Sequence, residues 1–89
     1  MGTELKIRLL KLGMSQMDML RILREKKERD PEAFKNVVLE TTYMSRALRG
    51  EPEERYQRLR EIIEQALTEK EAQRAAENTV KEMQMRPFL

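Results

Sequence analysis

The sequence contains no cysteine, no histidine and no tryptophan, and only three glycines and three prolines. Without cysteine there is no disulfide framework and no thiolate site. Without histidine as well, the usual zinc constellations and Ser-His or Cys-His nucleophilic catalysis are excluded. No apolar run approaches the ~18 residues that a transmembrane helix needs. The opening MGTELKIRLLKLG is too interrupted by charge for a secretory signal, and Lys6 stands where a myristoylation signal has Ser or Thr. The expectation is a soluble, cytoplasmic protein that uses no cofactor and no membrane.

What the sequence does have is charge, which makes up 38% of its 89 residues. The length fits one small domain, which buries only roughly 60–65% of its unfolded surface, so a second subunit would help it. The net charge of +2 hides an asymmetry. Residues 1–50 carry an excess of four positive charges and residues 51–89 an excess of two negative ones. A basic front and an acidic rear point to one face for a polyanion and another for a different contact, although solvated helix faces give the same count. The carboxylates are scattered along exposed helix faces, with no pair in an apolar pocket that would shift a pKa. An enzyme is therefore not expected.

The composition is helical, and the few breakers fall where helices stop or start. A first helix is expected from about Thr3, a plausible N-cap, to Leu12. Leu5, Leu9 and Leu12 form its stripe, Ile7 and Leu10 widen it, and Gly13 ends it. A second begins at Ser15, with Asp18 completing a weak capping box and Met19, Leu20, Ile22 and Leu23 buried. Its Arg24–Arg29 run reads as a solvated end. Asp30-Pro31-Glu32 is a strong helix start, and residues 31–39 read as a short helix, the front of a longer one, or, at Val37-Val38-Leu39, an extended segment. A helix from about Thr41 to Arg49, capped by Thr41 or Thr42, buries Met44, Ala47 and Leu48 and closes at Gly50. A last helix starts at Pro52 with Tyr56, Leu59, Ile62, Ile63, Ala66 and Leu67 inward. Beyond Leu67 the stripe thins to Ala72, Ala75, Ala76, Val80 and Met83, yet nothing breaks the helix before Pro87. That second half must project, pack on a partner or fray.

Two stretches carry a functional signal together. Gly13-Met14-Ser15-Gln16 joins a helix end to a capped helix start. Thr42-Tyr43-Met44-Ser45-Arg46-Ala47-Leu48-Arg49-Gly50 is a short helix with polar and basic residues on one face and a glycine stop. A helix N-terminus offers unpaired N–H groups to phosphate, Gln16 adds a donor there, and a short following helix suits a major groove.

Over about residues 4–67 this pattern resembles the helix-turn-helix of phage-repressor-like (Xre-type) DNA-binding domains. The resemblance implies an all-α bundle of four to five helices with a long C-terminal helix. It divides the chain into a DNA-binding domain at 1–67 and an extension at 68–89 suited to dimerisation or to a protein partner. It implies a transcriptional regulator, most simply a repressor that binds an inverted repeat in double-stranded DNA as a homodimer. Met44 aligns with the family's buried aliphatic residue. That places Thr41, Thr42, Ser45 and Arg46 at base edges. Gln16, Lys35, Tyr43 and Arg49 read as phosphate contacts, which position without specifying.

The chain departs from the family pattern in three ways. No glycine lies between Gly13 and Gly50. Gln16 and Met44 are 28 positions apart, about double the usual spacing, so a segment around Lys26–Leu39 is inserted. Leu20 stands where the family has a small residue, and Ala47 across from it restores the volume.

Plainer readings stand beside these. Arg46 and Arg49 fit a solvated face with Glu40 and Glu53 nearby, and Gln16 fits an ordinary first turn. Met14, Met17 and Met19 read as flexible core filler in preference to a binding groove. Tyr43 reads as a half-buried packing residue, and the tail from Met85 to Leu89 as a frayed terminus. The alternative function is a helical protein-binding module, an inhibitor or antirepressor, that does not bind DNA.

Overall fold

The computed structural model describes residues 3–85, with side chains over 4–78. It is all-helical: α1 (Thr3–Lys11), α2 (Gln16–Arg29), α3 (Thr41–Arg49) and α4 (Glu54–Met85) are the helices of the described residues. The cap proposed for Thr3 and the inward roles of Val80 and Met83 rest on side chains outside the described ones, and the tail after Met85 lies outside the described residues.

Helix α1 buries Leu5, Leu9 and Leu12 at helical spacing. Ile7 and Leu10 do not widen that stripe. They point the other way, 50% and 75% exposed, because positions 7 and 10 lie across the helix from 5, 9 and 12. The helix ends in a Schellman turn. Gly13 adopts φ 68, its N–H donates to the Leu10 carbonyl, and the Met14 N–H donates to the Leu9 carbonyl.

Helix α2 opens with the full capping box. The Ser15 hydroxyl accepts from the Asp18 N–H at 3.1 Å, and the Asp18 carboxylate accepts from the Ser15 N–H at 2.8 Å. Met19, Leu20 and Leu23 are completely buried, and Ile22 only in part. Each fully buried aliphatic contributes about 1.5–3 kcal/mol of transfer free energy.

The segment after α2 is neither a helix nor a strand. Asp30 does cap a turn, its carboxylate accepting from the Ala33 N–H at 3.4 Å, but the chain continues as successive turns over 31–36. Asn36 at φ 65 leaves the helical region, and two β-branched valines follow, so nothing propagates. The segment is still tied to the body. Phe34, Val37 and Leu39 are core residues. The carbonyls of Ala33, Val37 and Leu39 accept from Arg58, Lys27 and Arg24, which supplies partners the missing helix would have provided. The Arg24–Arg29 run is therefore not a plain solvated end. Arg24 and Lys27 hold the turn segment, and Lys26 pairs with Glu69 of α4.

Helix α3 is capped by Glu40, whose backbone is extended and whose side chain makes no cap bond, so Thr41 and Thr42 are first-turn residues and not caps. Met44, Ala47 and Leu48 are buried, and Gly50 at φ 88 closes the helix with a second Schellman turn. Helix α4 starts at Glu54, two residues after Pro52, because the Glu53 carbonyl already accepts from the Tyr56 and Gln57 N–H groups. Tyr56, Leu59, Ile63, Ala66 and Leu67 fill the core, with Ile62 half-buried at its margin. The boundary expected at 67/68 falls inside α4, which runs through it unbroken. Past Leu67, residues 72–78 are exposed. At 1.5 Å per residue α4 is about 48 Å long, which accounts for most of the 57 Å long axis of the molecule.

Candidate nucleic-acid interface

The start of α2 and the outward side of α3 meet at Gln16. Its side-chain amide donates to the Thr41 carbonyl at 3.1 Å and to the Ser45 hydroxyl at 3.0 Å. These two bonds join helices whose relevant residues lie 25 and 29 positions apart. The Thr41 hydroxyl also touches the Met17 sulfur at 4.0 Å. Gln16, Met17, Thr41 and Ser45 are thus one continuous surface, and Met17 is exposed there while Met19 is buried and Met14 packs against the core. The methionines divide their roles by helical position.

Helix α3 contains no acidic residue. With Met44, Ala47 and Leu48 inward, Thr42 and Arg49 stand on the opposite side, both exposed, with Thr41 exposed beside them. Of the four residues expected at base edges, Thr41 and Thr42 face solvent. Ser45 is half-buried against Gln16. Arg46 starts from the outward side but is half-buried, donating through Nη1 to the Tyr56 hydroxyl at 3.0 Å.

Of the four expected at phosphates, Gln16 is largely spent on α3. Arg49 is exposed with Nη2 4.0 Å from Glu51. Lys35 is exposed in the turn segment, where it borders a shallow depression with Arg55 and Arg58. Tyr43 is half-buried. Its ring lies 5.6 Å from that of Tyr56 at 53°, and the Arg55 guanidinium stands over both rings at 5.6 and 4.9 Å. Six of the eight lie on α3 itself, Gln16 is the joint between α2 and α3, and Lys35 stands on the neighbouring turn segment.

Three side chains have tertiary partners that the sequence did not reveal. Arg60 donates through Nη1 to the Ala47 and Glu51 carbonyls at 3.2 and 2.8 Å, which fixes the end of α3. Arg55 is gripped between two tyrosine rings and Glu53, with Nη2 2.7 Å from that carboxylate. Tyr56 is wholly buried, yet its hydroxyl meets Arg46. Arg55 and Arg60 flank the Tyr56–Leu59 stripe, and the crossing of α3 over α4 brings Tyr43 to Arg55 and the Ala47 carbonyl to Arg60.

Two carboxyl groups are held toward their charged form. The Ser15 N–H and hydroxyl hold the Asp18 carboxyl below its ordinary range, and the Arg8 guanidinium does the same for Glu71. Both shifts move away from the protonated form a general acid needs. Among the described residues no group of three or more acidic side chains is placed to hold a metal ion, and no helix is long and apolar enough to cross a membrane. No family model matches the chain, and neither a curated protein nor a solved structure is significantly similar to it.

Proposed function

We propose that this protein is a sequence-specific DNA-binding regulator of the phage-repressor-like, Xre-type class, without catalytic activity. The observation that carries the reading is the docking of Gln16, at the start of α2, onto Thr41 and Ser45 of an acid-free α3 whose other side is anchored in the core. A helix held in this way presents a fixed polar and basic ridge of Thr41, Thr42, Arg46 and Arg49, the kind of surface that enters a major groove. The inserted turn segment lengthens the α2–α3 connection, and its three apolar anchors keep α3 against α2. The exposed part of α4 beyond Leu67 is the surface proposed to pair two copies or to take a protein partner. A dimer would set two α3 helices about one DNA turn, roughly 34 Å, apart on an inverted repeat.

Selection from random duplexes followed by a salt titration tests this. The expected result is enrichment of an inverted repeat whose affinity falls by several powers of the salt concentration. Absence of binding to every duplex, or binding indifferent to salt, defeats the reading. The exposed Ile7 and Leu10 on the back of α1 favour a second reading, a helical protein-binding module. A monomer by light scattering that pulls down one protein and ignores all DNA decides for it.

A further inference from the structure

Arg46 is the one arginine of α3 whose guanidinium is fixed by a neutral group from the core. Its Nη1 donates to the Tyr56 hydroxyl at 3.0 Å. The Tyr56 ring has no exposed surface and packs against Tyr43, so it cannot follow a mobile partner. On the other side, Arg46 Nε and Arg49 Nη2 each stand 4.0 Å from the same carboxylate oxygen, Oε2 of Glu51. That oxygen is buried and accepts no hydrogen bond. The Glu51 backbone is fixed in turn by Arg60, which donates to its carbonyl. Arg46 is thus set between a rigid neutral acceptor and an anion that it shares with Arg49.

Building on the DNA-binding reading above, we infer that Tyr56 is a specificity-determining positioning residue for Arg46, and that Glu51 is a built-in competitor for DNA at Arg46 and Arg49. A free arginine side chain loses most of its rotamer freedom when it makes a bidentate contact with guanine. An anchor on Tyr56 lowers that loss and restricts the directions the fork can face, which favours one base over the others. Glu51 acts differently. Its charge offsets part of the attraction of Arg46 and Arg49 for any polyanion, so it lowers affinity for every sequence alike. Arg55 and Glu53 sit close by, but Arg55 is committed to the two tyrosine rings and to Glu53.

The test uses the full chain, the best duplex from selection, single-base variants of that duplex and an unrelated duplex. Tyr56→Phe keeps the buried ring and removes only the hydroxyl. It should lower affinity for the selected duplex several-fold, flatten discrimination at one base position, leave the unrelated duplex within two-fold, and barely change Tm. Glu51→Gln should raise affinity for both duplexes several-fold and steepen the salt dependence. As a readout without DNA, the Arg46 Nη–H signals should broaden and exchange faster in Tyr56→Phe, because Nη1 loses its acceptor. If the native protein binds a selected duplex and Tyr56→Phe discriminates bases as well as it does, the positioning role is wrong. If Glu51→Gln leaves affinity unchanged or lowers it, the competitor role is wrong. Failure of the native protein to bind any duplex overturns the DNA reading and both roles with it.

Discussion

Arg8 and Glu71 stand 63 positions apart in the sequence and 2.7 Å apart across the seam between α1 and α4. The contact is forked, with Arg8 Nε 3.1 Å from the second carboxylate oxygen, and Arg8 also donates to the Thr68 hydroxyl at 3.1 Å. It lies just past Leu67, the last core residue of α4 among the described residues. The seam thus continues one turn beyond the apolar core through a bidentate ion pair, the strongest geometry such a pair has. Removal of residues 68–89 should leave a cooperatively folded domain with a slightly lower Tm. Glu71→Gln in the full chain should reproduce that small loss, and salt should erase it. A truncated chain without a cooperative melt would mean that α4 beyond Leu67 is part of the folding unit.

Acid should weaken the fold through two carboxylates. Asp18 and Glu71 both have folded pKa values below their unfolded ones, so their stabilisation is full above the ordinary carboxylate range, about pH 4, and is lost as pH falls through the folded values. The urea midpoint should hold steady from neutral pH to about pH 5 and decline below it. The double variant Asp18→Asn, Glu71→Gln should start lower at neutral pH and decline less steeply. A parallel decline in both proteins would assign acid sensitivity to other groups.

The buried and exposed apolar residues should separate sharply in stability. Leu23→Ala, Met44→Ala and Leu48→Ala remove side chains with no more than 1% exposure and should each cost about 2–5 kcal/mol by chemical denaturation. Ile7→Ser and Leu10→Ser, on the open side of α1, should stay within about 0.5 kcal/mol. A large loss for either would show that this face is covered in solution, and concentration dependence of Tm would identify a second copy as the cover.

Positive φ angles predict an opposite pair of outcomes. Gly13→Ala meets nothing within 4 Å, so only backbone strain at φ 68 is at issue, worth about 1–2 kcal/mol. Asn36→Gly places the permissive residue at φ 65 and should be neutral or slightly stabilising. Thermal melts of the two single variants check the signs.

Two arginines of α3 should differ in what they do to DNA binding. Arg46→Ala should weaken the selected duplex by about 5–150-fold and relax preference at one base position. Arg49→Ala should weaken all duplexes alike and reduce the salt slope by about one. Intact specific binding in Arg46→Ala would mean that α3 is not the reading helix.

Much of the fold was legible because helix signals are local. Ser15 with Asp18, the two glycine stops and the inward spacing of Met19, Leu20, Leu23, Met44 and Leu48 act within a few residues of where they are read. The failures have local causes too. Asp30-Pro31-Glu32 starts a turn correctly, but Asn36 and the valines withdraw the helix that the start promised. Ile7 and Leu10 are apolar on a helix that already has its stripe, and hydrophobicity alone does not say which side meets the core. Of the candidate site, the alignment of Met44 placed Thr41, Thr42, Ser45 and Arg46 outward; Thr41 and Thr42 are exposed, and Ser45 and Arg46 are half-buried. The bond from Arg46 to Tyr56 was not readable, since its partner lies on another helix ten positions away.

The sequence by itself determined the all-helical class, the helix ends and most of the core, because propensity, capping and 3.6-residue periodicity act through neighbours along the chain. Only the tertiary structure decided how the cations are used. Arg24, Lys27 and Arg58 hold the carbonyls of the turn segment, Arg60 fixes the end of α3, Arg8 fastens α1 to α4, and Arg46 rests on Tyr56. A long cationic side chain bonds whatever acceptor lies within reach of its tip, and packing, not sequence distance, sets what lies there.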